Sequence, residues 1–492
     1  MTLNMKSLLV TVIILFTDGV VIAGPAHGST VPKVNTPQNV HESLANEYLV
    51  QFHDDPDLSH ERFMAHTAVI HAAAQKYLTG GNQYAGVIRH FSIGPGFRAF
   101  HGHLDPEHVE QLRQLNFVKR IEPNALVTTQ FDSIPKLESP PTAKVQLETE
   151  LRKAKRGDDL NKTVLKGPTP RSANFNVKVH VHTAENWGQS RISHRHPSSK
   201  PSYRYFKPPL PPTIYMLDTG IRKTHSEFRT STNPSSTTNT TNSKVRFGPN
   251  FTVPPDDPLR YNSNDDNGHG THTAGIVAGN TFGIVPHGHP VHLVAVKVLS
   301  ANGSGTWDGL LQAIQWAGND TIKRHLSSRA IINLSLGGGY SQITNDAVTA
   351  AINHAKITVV VASGNDNNLT SYLSPASCPD AITVAAIDAN DTRAGFSNYG
   401  PGVDVFAPGV DILSSGNGDD DQSVYMSGTS MAAPHVAGLA AYFMMVYGAH
   451  TPDEMRQRLM GVAIKGAVKD KGEGSADAVA YNGVDDPEED DD

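Results

Sequence analysis

Cysteine is all but missing from this 492-residue chain: Cys378 stands alone, which excludes an intramolecular disulfide and leaves packing or bound ions to stabilise the fold. Excess positive charge is missing too. Lys and Arg number 41 against 48 Asp and Glu, a formal net charge of -7, and "DDPEEDDD" at the end adds to the surplus, so no nucleic-acid partner is expected. Charged residues make up only 18% and hydrophobic ones 38%, proportions of a soluble globular protein rather than of a fibre or a disordered chain. The opening residues hold the one apolar stretch that raises the question of a membrane. Lys6 precedes a largely apolar run over residues 8–16, Asp18 interrupts it, and Val21, Ile22 and Ala23 close it, which is short for a bilayer span. Residues 1–23 are read as a secretory signal peptide, with a membrane anchor as the alternative. The expectation is a secreted, extracellular monomer with no membrane attachment after signal cleavage.

Residues 47–128 read as a small α/β domain. "EYLVQF" is a strand, "ERFMAHTAVIHAAAQKYL" a helix, "VIRHFSI" and "FRAFHGHL" two strands, "DPEHVEQLRQL" a helix capped by Asp105, and "FVKRIEP" a last strand. That βαββαβ order is the ferredoxin-like pattern. Residues 129–186 lose apolar periodicity and are read as a linker or inserted segment, in which Lys155 and Arg156 form either a processing site or a solvated pair. From 187 to 483 strands and helices alternate, which predicts a parallel sheet covered by helices on both faces, interrupted by the polar loop "STNPSSTTNTTNS". Residues 484–492 form an acidic tail.

The chemistry of such a sheet belongs at the carboxyl ends of its strands, where loops converge. Asp218 directly follows the strand "TIYML", His269 lies between two glycines in "NGHGTHTAG" at a helix start, and Ser430 opens the helix "MAAPHVAGLAAYFMMVYG". A serine hydroxyl needs a base to take its proton, and the base needs a carboxylate to hold its tautomer; these three residues supply one of each. The oxyanion formed by attack needs donors fixed in advance, for which the Ser430 N–H and the side-chain amide of Asn365 are candidates. Singly, each residue is as well read as a cap, a turn former or a surface histidine. Together at one sheet edge they point to acyl transfer.

"YMLDTGI", "NGHGTHTAGIVAG", "NLSLGGGYS", "VVASGN" and "MSGTSMAAPHVAGLAAY" resemble the signature stretches of the subtilisin-like serine proteases, closely those of the proteinase K branch. The likeness runs from "WGQSRIS" at Trp187 to "AYNG" near residue 483. It implies an α/β fold with a subtilisin-like parallel sheet, Asp218, His269 and Ser430 as the catalytic triad, Asn365 in the oxyanion hole, and no cofactor for catalysis. It also implies that Gly303, Ser304 and Gly305 on one side, and Ser335, Leu336 and Gly337 on the other, sandwich an extended protein or peptide substrate by strand pairing. Ala362, Ser363 and Gly364 would line the pocket for the residue before the scissile bond, with an apolar or aromatic preference. The activity implied is that of a self-processing serine endopeptidase of broad specificity.

By the same likeness residues 47–128 resemble an inhibitor-type propeptide, an intramolecular partner whose tail "IEPNALVTTQ" blocks the cleft, with self-cleavage near residues 128–135. The fifty or so residues before "WGQSRIS" depart from the family pattern. A structural calcium resembling the branch's would use Asp404 and the carbonyls of Pro379 and Ala381, oxygen ligands suited to a hard cation. Sequons occur at Asn161, Asn239, Asn250, Asn368 and Asn390, and Asn333 sits in a strand where no glycan should fit. The histidines at 53, 60, 66, 71, 90, 101, 103 and 108 are read either as solvated surface groups or as groups whose protonation loosens the inhibitor. A kexin-type processing protease would want acidic residues in the specificity pocket. A catalytically silent binding protein of the same fold is the alternative from another class, against which the intact triad argues, and "GTSMA" lacks the Gly-x-Ser-x-Gly elbow of a lipase.

Overall fold

The structure is a computed structural model and describes residues 43–54, 58–76, 86–129, 179–198, 201–206, 211–230, 243–448 and 450–484. The signal-peptide reading, Lys155 and Arg156, the sequons at Asn161 and Asn239 and nearly all of the acidic tail lie outside them. The chain divides into two compact units, which meet in sequence between Ala125 and Leu126.

The first unit runs β1 (Ser43–Phe52), α1 (His60–Lys76), β2 (Gly86–Ile93), β3 (Phe97–His103), α2 (Pro106–Leu112) and β4 (Val118–Thr128). Its strands lie antiparallel in the order β4, β1, β3, β2, the arrangement that the βαββαβ pattern predicts. Asp105 caps α2 through a 2.8 Å bond from the Glu107 N–H, and Pro106 occupies the first turn, where its missing donor costs nothing. Val50, Phe52, Phe63, Ile70, Phe100, Val109 and Leu112 form the core between sheet and helices. The histidines here are not all solvated: His101 and His108 are buried, and His66 lies 4.5 Å from the Phe117 ring.

The second unit begins with the last residues of β4. It continues through β5 (Val179–Thr183), α3 (Trp187–Ile192), β6 (Ser202–Phe206), β7 (Thr213–Asp218), β8 (Val245–Asn250), α4 (His269–Ala278), β9 (His292–Lys297), β10 (Ser304–Thr306) and α5 (Trp307–Lys323). Then follow β11 (Ala330–Leu334), β12 (Gly338–Gly339), α6 (Gln342–Ala355), β13 (Thr358–Ala362), β14 (Leu373–Ser374), β15 (Ile382–Ile387), β16 (Val405–Pro408), β17 (Ile412–Ser415) and β18 (Ser423–Met426). The unit closes with α7 (Thr429–Tyr447), α8 (Pro452–Val462), β19 (Ile464–Lys465) and β20 (Ala478–Val479).

Nine strands form one sheet in the order β19, β20, β16, β15, β13, β11, β7, β9, β8, parallel throughout except for β19. Alternate side chains go to opposite faces. Ile214, Met216, Val360 and Val384 join the core under α4 and α7, whereas Tyr215 meets Trp316 of α5 at 6.0 Å. Burial on both faces is why these strands read as continuous apolar runs. Helix α7 is long and apolar enough to cross a membrane, yet 94% of that stretch is buried in the unit, which makes it a core helix.

The segment read as a linker over residues 129–186 is not irregular to its end. Residues 179–183 form β5, which pairs antiparallel with β6, so the ordered body starts before Trp187. Alternation of Val and His in "VHVHT" hides the strand, because Val181 is exposed and neither face reads as core.

Candidate active site

Asp218 ends β7, fully buried, and its Oδ1 accepts hydrogen bonds from His269 Nδ1 and from the Thr219 N–H, each at 2.7 Å. Thr273 Oγ1 donates to the other oxygen at 3.3 Å. His269 opens α4 and is itself buried. Gly268 before it has φ of 115°, a left-handed conformation that a side chain resists, and a Cβ on Gly270 after it would stand 2.1 Å from the Gly220 carbonyl oxygen. Both glycines are therefore demanded by the way the histidine is held against β7. Burial alone would lower the His269 pKa, but the Asp218 charge and hydrogen bond, with a further contribution from Asp265, outweigh it and hold it above the ordinary histidine value. The Nε2 atom is buried and takes no hydrogen bond.

Ser430 lies in the first turn of α7, where backbone N–H groups have no helical acceptor. Its Oγ donates to the Ser335 carbonyl at 3.0 Å, and Ser335 Oγ donates back to the Ser430 carbonyl at 2.9 Å. That carbonyl is available because Pro434, four residues on, has no N–H to offer it. Asn365 follows β13 and turns its Oδ1 toward the Thr429 N–H and hydroxyl, at 2.8 and 2.9 Å, which leaves the amide hydrogens to donate elsewhere. A Cβ placed on Gly428 would lie 3.4 Å from Asn365 Nδ2 and 3.6 Å from Ser430 N, so these two donors border one small space.

Within the second unit the last residues of β4 form a strand between the two segments singled out as substrate contacts. Thr128, Val127 and Leu126 pair antiparallel with Ser304, Gly305 and Thr306, and the Thr129 N–H donates to the Gly303 carbonyl at 2.9 Å. On the other side the Thr128 N–H donates to the Gly337 carbonyl at 3.0 Å and the Gly337 N–H returns to Thr128 at 3.3 Å. Leu336 is buried beneath this edge. Ala362 ends β13, and Ser363 and Gly364 follow it. A Cβ on Gly364 would meet Leu373 Cδ1 and Asn398 Nδ2, both at 2.4 Å, so an apolar and an amide side chain border that wall.

Several residues reach the site without having been singled out in the sequence. Asp265 is buried and accepts five hydrogen bonds: from Thr219 Oγ1, Asn267 N and Gly268 N on one oxygen, and from Thr271 N and Oγ1 on the other, all between 2.6 and 3.0 Å. It clamps the loop that carries His269. The second histidine of the motif, His272, donates from Nε2 between the carbonyls of Ile412 and Val424, and burial pushes its pKa down to about 3, which suits a structural rather than a basic role. Asn333 and Asn250 are buried, Asn333 as the strand reading requires, whereas Asn390 is exposed.

The oxygens assigned to calcium do converge, but on a side chain. Arg456 of α8 donates to Asp404 Oδ1 and to the carbonyls of Pro379 and Ala381. A guanidinium among those three oxygens occupies the place of a cation and repels one, so the residues present do not fit a bound calcium.

The comparisons with known proteins agree with the geometry. The Subtilase family model matches residues 212–486 and the Peptidase inhibitor I9 model matches residues 47–130. Subtilisin-like protease 3 of Pseudogymnoascus destructans is 42% identical over 301 residues, 60% of this chain and 69% of its own. The cuticle-degrading serine protease of Arthrobotrys oligospora is 41% identical over 304 residues, 61% and 69% of the two chains. Subtilisin-like protease 4 of Trichophyton equinum is 34% identical over 445 residues, 90% of this chain and 93% of its own. The crystal structure of a cold adapted subtilisin-like serine proteinase matches with a TM-score of 0.52 and 33% identity, over 60% of this chain and 97% of that one. A buried aspartate-histidine pair, a serine at the start of a core helix and an inhibitor domain ahead of them thus have one account: the chain belongs to the subtilase family of serine proteases, with an inhibitor I9 propeptide preceding its peptidase domain.

Proposed function

We propose that the chain is a secreted zymogen that cuts itself near residues 128–135, then hydrolyses other proteins through an acyl-enzyme on Ser430. The register of the docked strand carries this reading. Thr128 pairs antiparallel with Gly337, two residues from Ser335, so the strand heads toward Ser335 as it passes Thr128. The Ser335 carbonyl is the group 3.0 Å from Ser430 Oγ. The bond to be cut is then one close after this strand.

In this mechanism Asp218 fixes the Nδ1–H tautomer of His269, which leaves Nε2 as the base. The Ser430 hydroxyl turns from the Ser335 carbonyl to Nε2 as a substrate carbonyl arrives, a tightening common on substrate binding. Attack forms the Oγ–C bond and passes the proton to Nε2, while the oxyanion sits between the Ser430 N–H and Asn365 Nδ2. The imidazolium, stabilised by Asp218, gives its proton to the leaving amine. Water then loses a proton to Nε2 and attacks the ester, which frees the acid and restores the serine. Strand pairing at residues 303–305 and 335–337 recognises main chain and so admits many sequences. The uncharged wall of Ala362, Ser363, Gly364 and Leu373 favours apolar or neutral side chains before the cleaved bond.

The test is expression of the full chain followed by sequencing of the new N-terminus that self-cleavage creates, which should lie near residues 128–135. The Ser430→Ala chain should stay unprocessed, keep its circular dichroism spectrum and lose at least about 10⁴-fold in kcat/KM on a denatured protein. Continued cleavage by that variant, or a first cut far from residues 128–135, sinks the reading.

A further inference from the structure

We infer that Arg456 is a built-in cation standing where a bound divalent ion would otherwise sit, and that removing its guanidinium opens a latent site for a hard divalent cation. The placement is specified from the helix start. Thr451 and Glu454 form a capping box, with the Thr451 N–H donating to Glu454 Oε2 at 2.8 Å and the Glu454 N–H donating to Thr451 Oγ1 at 3.3 Å, and Pro452 fills the first turn. Met455, Arg456 and Leu459 are the buried residues of α8, so its one buried charge lies beside apolar neighbours with only 6% of its surface exposed. A lone guanidinium there would be strongly disfavoured. Its partners come from two adjacent parallel strands: Asp404 lies just before β16, and Pro379 and Ala381 lie just before β15.

The chemistry of the three oxygens suits either occupant but not both. One carboxylate and two carbonyls are ligands a hard cation accepts, with waters completing six to eight positions at about 2.3–2.6 Å. The planar guanidinium offers several donors in a fixed fork, satisfies the same oxygens, neutralises the one negative charge and fills the volume those waters need. Asp404 is held from its other side by the Thr383 N–H, 2.8 Å from Oδ2, so the carboxylate cannot swing away to serve a second cation. In a chain with a single cysteine, this pair ties α8 to the sheet by a link that neither a reductant nor a chelator removes.

The experiment uses the full chain carrying Ser430→Ala to stop self-digestion, and reads bound calcium per chain by equilibrium dialysis and the midpoint of thermal unfolding with calcium or with chelator. Arg456→Ser should unfold roughly 5–10 °C lower in chelator, bind one more calcium than the parent, and recover at least half of the lost midpoint when calcium is added. Arg456→Lys keeps a charge but not the fork. It should fold, lose a few degrees and gain no calcium. Asp404→Asn should leave the parent's calcium count unchanged. Loss of one bound calcium in Asp404→Asn would show that the ion is already there and overturn the proposal. So would an Arg456→Ser chain that folds yet gains neither the ion nor a larger calcium response than the parent. If Arg456→Ser does not fold, the Asp404→Asn count and the Arg456→Lys chain decide.

Discussion

Asp265 is an acidic residue outside the proposed triad whose charge acts on His269, and its part is one of hydrogen bonds and charge rather than of contact with substrate. Its two oxygens take five donors from the loop that delivers the histidine, and its charge helps to raise the His269 pKa. Replacing it with Asn keeps the size but removes the charge and turns part of the acceptor into a donor that faces other donors. The Asp265→Asn enzyme should therefore show its acidic limb of kcat/KM displaced to lower pH, because less negative charge holds the imidazolium, and kcat should fall about 10- to 100-fold as the loop loosens. A pH profile of the purified variant checks it; an unmoved limb with unchanged kcat would remove Asp265 from the positioning of the base. The proposed triad could be read from the sequence because Asp218, His269 and Ser430 sit in glycine-rich stretches at element ends. Asp265 was not, since an acidic residue in "NDDNGHG" looks like any solvated turn, and only its burial in the folded chain separates the two.

At the scale of elements the proposed function gives recognition to the strand edges that border Ser430. Gly338, at the head of β12, has no left-handed backbone to explain it. A Cβ there would stand 2.8 Å from the Leu126 carbonyl oxygen and 2.9 Å from Trp307, closer than real Cβ atoms come. Gly338→Ala should push the docked strand off this edge. The expected result is a KM raised about tenfold for extended peptides, with a smaller change for substrates too short to reach Gly338, because the lost contacts act before the chemistry. Equal losses on long and short substrates would instead mean that Trp307 had moved and the whole edge had been disturbed. The elements that the sequence announced were those with one dominant period: the apolar parallel strands, and the helices with polar caps. The β5–β6 pairing escaped because Val and His alternate on an exposed ribbon. Helix α8 carries plain start signals in Thr451, Pro452 and Glu454, but the task of Arg456 does not follow from them. A charge on a short amphipathic helix is ordinarily solvated, and its burial depends on oxygens that arrive from residues 379–404.

Across the whole molecule, buried histidines set the response to acid. In the peptidase unit His272 is pushed to about 3 and His435 to about 4, each mainly by burial, with His435 Nδ1 on the Met431 carbonyl and its Nε2 unpartnered. Depressed values mean that the unfolded chain binds protons, near its ordinary pKa of about 6.5, that the folded chain refuses; stability is full above that value and falls as the pH drops toward about 4. His269, raised by Asp218, works in the opposite sense, since its contribution is present below the ordinary value and lost as the pH rises through its own pKa. His182 and His450 are depressed as well, again mainly by burial, and four depressed histidines against one raised one leave the unit acid-labile. In the first unit His90 and His108 are also depressed, again mainly by burial, with His60 and His71 adding to the effect at His90, so the inhibitor domain should weaken on acidification as well. Replacing His435 with Gln keeps an amide donor in the same space and removes the proton-binding group. Between pH 7 and pH 5 the parent should lose about 2 kcal/mol more folding stability than His435→Gln, measured from denaturant midpoints of the inactive Ser430→Ala chain. If both chains lose the same amount over that range, His435 is not one of the groups that make the unit sensitive to acid, and the effect must be sought at His272, wedged between the two carbonyls of Ile412 and Val424.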